Sequence, residues 1–241
     1  MTPPADHRLV LAHGFTQTAR SWRSISDLLD THGIASTALD LPGHGVAADV
    51  RADLWQCADR LVHDGGPATY VGYSMGGRVG LHAALTHPQS VRRLVLIGAT
   101  AGIEDGDARE ERRAADERLA RRIVEIGVEA FVDEWLATPL FAHLTAGQAQ
   151  RDVRLTNSTR GLASSLELAG TGTQAPLWDR LHEIEQPTLL LVGERDLKFT
   201  AIAERMRAAI PHADLQVIAG SGHSVHLEQP EATVDAIVSW L

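Results

Sequence analysis

Thr69-Tyr70-Val71-Gly72-Tyr73-Ser74-Met75-Gly76-Gly77-Arg78 is the stretch from which the fold can be read. Thr69 to Tyr73 is rich in β-branched and aromatic residues and reads as a short strand. The strand breaks at Ser74, and Gly77 to Leu85 can continue as a helix. Gly72-Tyr73-Ser74-Met75-Gly76 thus presents G-x-S-x-G where it makes a nucleophile elbow, a serine on a sharp strand-to-helix turn. The chemistry explains the glycines, because side chains at the two flanking positions would collide with neighbouring backbone. The turn lifts the hydroxyl clear of the sheet and sets it at a helix N-terminus, where the macrodipole favours developing negative charge. A glycine-rich turn with an idle serine would not need this strand-before, helix-after context.

Outward from the turn, short apolar runs alternate with helical patterns, the rhythm of a mostly parallel sheet with helices on its faces. Arg8 to Ala12 and Ala35 to Leu39 read as strands that end in the loops His13-Gly14-Phe15 and Asp40-Leu41-Pro42-Gly43-His44-Gly45. Val91 to Ile97 is a fourth strand. From about Gly102 to His182 the chain reads as helix after helix, and Leu119, Ile123 and Ile126 form one apolar stripe in an Arg- and Glu-rich run. Strand signals return at Thr188 to Val192 and Ala213 to Ile218, and Glu231 to Leu241 closes as a helix. The pattern predicts an α/β-hydrolase fold: a core of residues 1–101 and 183–241, with a helical cap, 102–182, inserted after the fourth strand.

The chain has 241 residues, 44 % hydrophobic and 22 % charged, enough for a sizeable core. Its net charge of −9 argues against a nucleic-acid partner, which needs clustered Lys and Arg on one face. It also repels anions at long range, so an anion site must be built from locally placed arginines. Cys57 is the only cysteine; it excludes an intrachain disulfide and suits a reducing compartment. It lies in Asp53-Leu54-Trp55-Gln56-Cys57, away from any nucleophile motif, and reads as a packing residue. Met1-Thr2-Pro3-Pro4-Ala5-Asp6 lacks the basic and apolar regions of a signal peptide, and no apolar run reaches the roughly 18 residues of a membrane span. A cytoplasmic protein without a membrane partner is expected.

A serine hydroxyl needs an imidazole to take its proton, and the imidazole needs an orienting carboxylate. In this fold they follow in the order serine, acid, histidine. Asp196, in Gly193-Glu194-Arg195-Asp196, and His223, in Gly220-Ser221-Gly222-His223, each follow a strand, at the sheet edge where open α/β folds place their sites. Glu194 and His226 are their rivals. His13 and His44 read as structural. No metal is expected: His223-x-x-His226 has no third ligand signal, and H-E-x-x-H is absent from the sequence. The backbone N–H groups of Met75 and Phe15 are the expected oxyanion donors. Arg78 lies four residues after Ser74, hence on the same helical face, and helical side chains lean toward the N-terminus. Its guanidinium should point back at the nucleophile, where a substrate carboxylate could accept two hydrogen bonds; the alternative is an ion pair with a core carboxylate.

Gly72-Tyr73-Ser74-Met75-Gly76-Gly77-Arg78 and its surroundings resemble the family of 2-succinyl-6-hydroxy-2,4-cyclohexadiene-1-carboxylate synthases of menaquinone biosynthesis. The resemblance runs nearly end to end. It includes His13-Gly14-Phe15, Asp40-Leu41-Pro42-Gly43-His44-Gly45, Gly193-Glu194-Arg195-Asp196-x-Lys198-Phe199 and Gly222-His223-x-x-His226-x-Glu228-x-Pro230. It reaches the expected cap through Glu111-Arg112-Arg113, the segment from Trp135 to Phe141, and Gly161-Leu162-Ala163-Ser164-Ser165-Leu166. The core motifs are shared with many esterases, whereas Arg78 and the cap motifs are specific. The resemblance implies that Arg112 and Arg154 join Arg78 around a small substrate carrying several carboxylates, that Tyr73 and Trp135 bind it, and that no cofactor takes part. By residue chemistry alone, Arg112 could pair with Asp116 one turn later, and Trp135 would be a core residue.

The implied reaction is elimination of pyruvate from 2-succinyl-5-enolpyruvyl-6-hydroxy-3-cyclohexene-1-carboxylate, with the triad acting as a base. Two alternatives stay open. One is a carboxylesterase or carbon–carbon bond hydrolase working through an acyl-enzyme, distinguished only by Arg78 and the cap arginines. The other is a non-enzymatic ligand receptor on the same fold, against which an intact triad speaks.

Overall fold

The structure is a computed structural model that describes residues 8–241, so the reading of Met1 to Asp6 concerns residues outside it. Six strands form one sheet in which every pair is parallel: β1 (Leu9–Ala12), β2 (Ser36–Leu39), β3 (Ala68–Tyr73), β4 (Val91–Ile97), β5 (Thr188–Gly193) and β6 (Ala213–Ile218). All six fall where the apolar runs predicted them. β1, β3 and β5 are buried along their whole length, so they read as continuous apolar runs with no polar alternation.

The two faces of the sheet carry separate cores. Val10 and Tyr70 pack on one side with residues of α2 (Leu54–Gly65), α3 (Met75–Thr86) and α7 (Leu197–Ala209). Leu9, Leu11 and Val71 pack on the other with α1 (Arg23–Thr31) and α9 (Pro230–Trp240). The split follows from the two-residue period of a strand. Cys57 is buried in the first core, as a packing residue should be.

The strand order is β2-β1-β3-β4-β5-β6. β1 lies inside the sheet, β2 at one edge and β3 on the other side of β1, so the direction of winding reverses between β1 and β3. Open α/β sheets form a crevice at such a reversal, beyond the carboxyl ends of the strands. Ala12 is in register with Gly72, which brings the loop after β1 abreast of the turn after β3. The His13-Gly14-Phe15 loop and the Ser74 elbow are thereby neighbours, although some 60 residues of chain separate them.

Between β4 and β5 the described chain is helical: α4 (Gly106–Leu136), broken at Gly127, α5 (Arg151–Arg154) and α6 (Thr159–Ala169). α4 and α6 bury Ala120, Ile123, Phe131, Leu162, Ala163 and Leu166 against each other. The expected stripe lies here, with Ile123 fully buried and Leu119 and Ile126 on its flanks. Phe15 and Trp135 pack on the edge of this small core, so it meets the sheet at the His13-Gly14-Phe15 loop. The last helices are α8 (Val225–Glu228) and α9, which starts on Pro230, a residue suited to the first helical position.

Candidate active site

Ser74 has φ 51° and ψ −106°, a strained conformation for a residue with a side chain. The strain is held by close packing at both flanking glycines. A Cβ on Gly72 would run into the Gly76 carbonyl, and one on Gly76 into the Ala12 carbonyl of the neighbouring strand. Ser74 N donates to Ile97 O at 2.8 Å, which fixes the turn to β4.

His223 Nδ1 donates to Asp196 Oδ2 at 2.7 Å, and its Nε2 stands 3.4 Å from Ser74 Oγ, where it can accept the hydroxyl proton. The second distance is long for a hydrogen bond, as is common before substrate tightens such a site. Asp196 caps α7, its Oδ1 accepting from Phe199 N at 3.3 Å, so one carboxylate both starts a helix and orients the imidazole. The Phe199 ring packs on His223 at 4.4 Å. Neither rival residue is in place for this work. Glu194 accepts from Gly220 N at 2.8 Å on the exposed edge. His226 is sandwiched between Trp22 and Tyr73, and burial holds its pKa well below the ordinary value.

Glu228 supports the histidine loop, a role the sequence reading did not assign. It is buried, and its two oxygens accept from Gly222 N at 2.7 Å and Ser224 N at 3.0 Å, one amide on each side of His223. The carboxylate six residues past Gly222 was visible in the sequence; its backward reach became clear only with α8 folded.

Met75 N is the first amide of α3, where no partner lies within the helix. Met75 and Phe15 line the same cavity as Ser74 and His223, on opposite sides of the crevice. His13 braces the loop before Phe15: it accepts from Leu41 N at 3.0 Å and donates to Gly14 O at 2.9 Å. Burial lowers its pKa to about 4 and that of His44 to about 3, so both are neutral braces.

The cavity holds about 360 Å³. Arg78 lines it from α3, in the same cavity as Ser74. It is 7 % exposed, and its Nη1 donates to Ala169 O at 2.9 Å and Gly170 O at 3.4 Å. The ion-pair alternative for Arg78 is not what the structure holds: among the described residues no carboxylate is within salt-bridge distance. Burial first, then the Arg112 charge, lowers its pKa to about 10, which leaves it a cation at neutral pH.

Arg112 does both things its position allowed. Its Nε donates to the buried Asp116 at 2.8 Å, and it also lines the cavity. Asp116 Oδ2 accepts from Gly172 N at 3.0 Å, which fixes the loop beyond α6. Trp135 likewise is both a core residue against Phe15 and Phe131 and part of the cavity wall. Lys198, Arg205 and Glu104 complete the charged lining, with Arg205 paired to Glu104 and stacked on Trp178 at 3.8 Å.

Two expected contact residues stand behind the wall. Tyr73 is buried, with its hydroxyl 2.7 Å from Ser224 Oγ and its ring against His223 and His226. Arg154 is 1 % exposed and turned into the body of the protein. Its Nε donates to Ala149 O at 2.8 Å, and its Nη1 to Thr16 Oγ1. Arg154 is not among the residues that line the cavity with Arg78, and its Nη2 is buried without a hydrogen-bond partner. Its Nη1 also lies 3.5 Å from Phe15 O, and the Phe141 ring centroid is 5.4 Å from the guanidinium.

A reversed-winding parallel sheet, an elbow serine and a histidine–aspartate pair beyond its strand ends define the α/β-hydrolase class. A family model described as the alpha/beta hydrolase family matches residues 9–236. A Salmonella typhimurium 2-succinyl-6-hydroxy-2,4-cyclohexadiene-1-carboxylate synthase is 33 % identical, over 99 % of this chain and 95 % of its own. A Bacillus subtilis protein provisionally given the same name is 35 % identical, over 95 % of this chain and 88 % of its own. Among solved structures, MenH from S. aureus superposes with a TM-score of 0.90 at 32 % identity, covering 99 % of this chain and 94 % of that one. A thermophilic esterase from Thermogutta terrifontis follows at 0.82 and 26 % identity, over 98 % and 89 %. The chain belongs to the α/β-hydrolase family and, within it, to the 2-succinyl-6-hydroxy-2,4-cyclohexadiene-1-carboxylate synthases.

Proposed function

We propose that this chain is a lyase that eliminates pyruvate from 2-succinyl-5-enolpyruvyl-6-hydroxy-3-cyclohexene-1-carboxylate in menaquinone biosynthesis. The observation that carries the reading beyond a generic hydrolase is Arg78: a buried cation with no carboxylate contact among the described residues, in the same cavity as Ser74. Burying a charge without a partner is costly, and cavities retain such groups where a ligand completes them. An ester without a carboxylate gives Arg78 no partner; a polycarboxylate does.

In this reading Ser74 is a base. His223 draws off the hydroxyl proton, and the serine oxygen removes the ring proton next to the succinyl ketone. The electrons move onto the ketone oxygen, where the N–H groups of Phe15 and Met75 meet the charge. They return to form the ring diene as the bond from ring carbon to enolpyruvyl oxygen breaks. The departing enolate takes a proton and becomes pyruvate. Asp196 holds the His223 tautomer and steadies the imidazolium. Residues 102–182 act as a cap whose Arg112 and Trp135 close the substrate side, and Lys198 adds a cation from α7. We place the enzyme in the cytoplasm, where a chain with a single cysteine is at ease.

The test compares pyruvate release from the enolpyruvyl substrate with cleavage of short nitrophenyl esters, with mass spectrometry of quenched mixtures. The expected result is fast pyruvate release with an unmodified chain. A burst of product with acylated Ser74 would assign the chain to the hydrolases instead.

A further inference from the structure

The amide that is to serve as the Phe15 oxyanion donor belongs to an unusual turn. Gln17 N donates to Gly14 O at 3.1 Å, closing a four-residue turn over Phe15 and Thr16. Thr16, at its third position, has φ 66°. That sign belongs to turns that favour glycine at this position, and a β-branched residue there is a clear outlier. Local sequence preference does not hold the turn in this shape, so something around it must.

Asn157, between α5 and α6, contacts it directly. The residue is buried, and its side chain is fully used. Nδ2 donates to Thr16 O at 2.7 Å and to Arg154 O at 3.0 Å, while Oδ1 accepts from Gly45 N at 3.0 Å. Two carbonyls on one side and an N–H on the other fix which way the amide points. Its own position is equally set. α6 meets the Gly43 loop backbone to backbone, so close that a Cβ on either Gly43 or Gly161 would strike the other's carbonyl. Arg154, at the end of α5, adds its bond to Thr16 Oγ1.

We propose that Asn157 is a positioning residue: it clamps the left-handed turn at Thr16 and thereby holds the Phe15 N–H in its oxyanion-binding direction. Phe15 and Thr16 are the two central residues of one turn closed by the Gln17 N–Gly14 O bond, so a rearrangement at Thr16 is passed through Phe15 to the Gly14–Phe15 peptide, which carries the Phe15 N–H. The helical segment between β4 and β5 then contributes more than a wall to the cavity. Through Asn157 it completes the oxyanion hole on the β1 side of the crevice. The inference rests on the reading of Phe15 N–H as an oxyanion donor.

The test uses Asn157→Ala and Asn157→Asp, the latter keeping the acceptor for Gly45 N but losing the Nδ2 donors. Both should lower kcat about 10- to 100-fold, the range for a misplaced oxyanion donor, with KM within about threefold. A phenylboronic acid probe gives a reading independent of turnover. Ser74 Oγ bonds to boron, its proton passes to His223, and the boronate becomes tetrahedral and anionic, with one oxygen in the hole. Its affinity, by calorimetry, should fall in parallel with kcat, while pyruvate inhibition stays within about twofold. Thr16→Gly relieves the need for a clamp, because glycine takes positive φ freely. In that background Asn157→Ala should cost less than about threefold in kcat. Equal losses in both backgrounds, or unchanged boronate affinity with a lowered melting temperature, would reduce Asn157 to a structural strut. If wild type released no pyruvate, the functional reading would fail, and the boronate comparison would still decide the clamp.

Discussion

Replacing Arg78 by alanine, lysine or methionine separates a substrate anchor from a structural strut, because the two roles predict opposite effects on stability. The guanidinium is 7 % exposed and held only by the Ala169 and Gly170 carbonyls. Its pKa is lowered to about 10, chiefly through burial. A cation whose folded pKa lies below its unfolded one opposes folding at every pH below about 10. That opposition, on the order of a few kcal/mol, is set against two hydrogen bonds to neutral carbonyls worth about 1 to 3 kcal/mol each. Arg78→Met, which fills the same volume without charge, should therefore leave stability within about 1 kcal/mol of wild type or raise it. Activity should move the other way. A charge-assisted contact to a substrate carboxylate is worth about 1.5 to 3 kcal/mol, so Arg78→Ala and Arg78→Met should lose roughly 10- to 150-fold in kcat/KM for pyruvate release. Arg78→Lys should recover part of the loss, since an ammonium cannot form the planar two-bond contact. Cleavage of an uncharged nitrophenyl ester should change less than about threefold, having no carboxylate to lose. The assays are coupled detection of pyruvate, ester hydrolysis and urea unfolding of the same preparations. If Arg78→Met cost several kcal/mol of stability and both reactions fell together, Arg78 would be a strut and the argument for a polycarboxylate substrate would collapse.

Two further outcomes are expected. Ser74→Ala, His223→Ala and Asp196→Asn should each lower turnover by about three or more powers of ten, Asp196→Asn least, with strongly non-additive combinations; an intact rate in Asp196→Asn beside an inactive Glu194→Gln would overturn the assignment of the acid. Acid should destabilise the fold through its neutral buried histidines, His13 and His82 with pKa lowered to about 4 and His44 to about 3, in each case mainly by burial. Below pH 6.5 the unfolded chain binds protons that the folded chain refuses, so stability is full above that pH. It should fall as pH drops toward 4, by up to about 1.4 kcal/mol per unit for each histidine. Urea midpoints at pH 7.5, 6 and 5 measure it, and a midpoint that held constant would show these imidazoles to be accessible.

The parallel sheet and the triad were legible because both are written in short, local patterns. A strand buried on both faces is an unbroken apolar run, and β3 and β5 are such strands. The elbow needs its glycines within five residues, and the acid and histidine need only follow a strand. Arg78 was readable for the same reason, being one helical turn from Ser74. What could not be read depends on how the helical segment docks. Arg154 looks like any cap arginine in sequence, and only contact with the Phe15–Thr16 turn, some 138 residues away, turns it inward. Asn157 gives no local signal either, since its partners Thr16 and Gly45 lie 141 and 112 residues away. The positive φ of Thr16 ran against its residue type and was invisible until that docking was seen.

The same contrast bears on how a chain of charge −9 can attract a polyanion. Several arginines of the helical segment do not contribute, because exposed carboxylates sit beside them. Arg113 pairs with Glu110, Arg122 with Glu134, and Arg151 with both Glu129 and Asp133. Such pairs present almost no net field beyond a Debye length of about 8 to 10 Å. The negative charge elsewhere on the surface is screened over the same distance, so it scarcely opposes entry of a substrate. Inside the cavity the balance is reversed. Arg78 has no carboxylate contact, Arg112 spends one nitrogen on Asp116, and Lys198 makes no ion pair among the described residues, while Arg205 is offset by Glu104. The low-dielectric wall made by Trp135, Phe199 and Trp178 strengthens each of these charges. The triad and the oxyanion hole are parts that an esterase would also need. In the proposed reading, what directs them to proton abstraction is that bound carboxylates fix the ring carbon, rather than an ester carbonyl, over Ser74. In that reading the reaction class is decided by the few cations the fold leaves unneutralised, and not by the residues that move the proton.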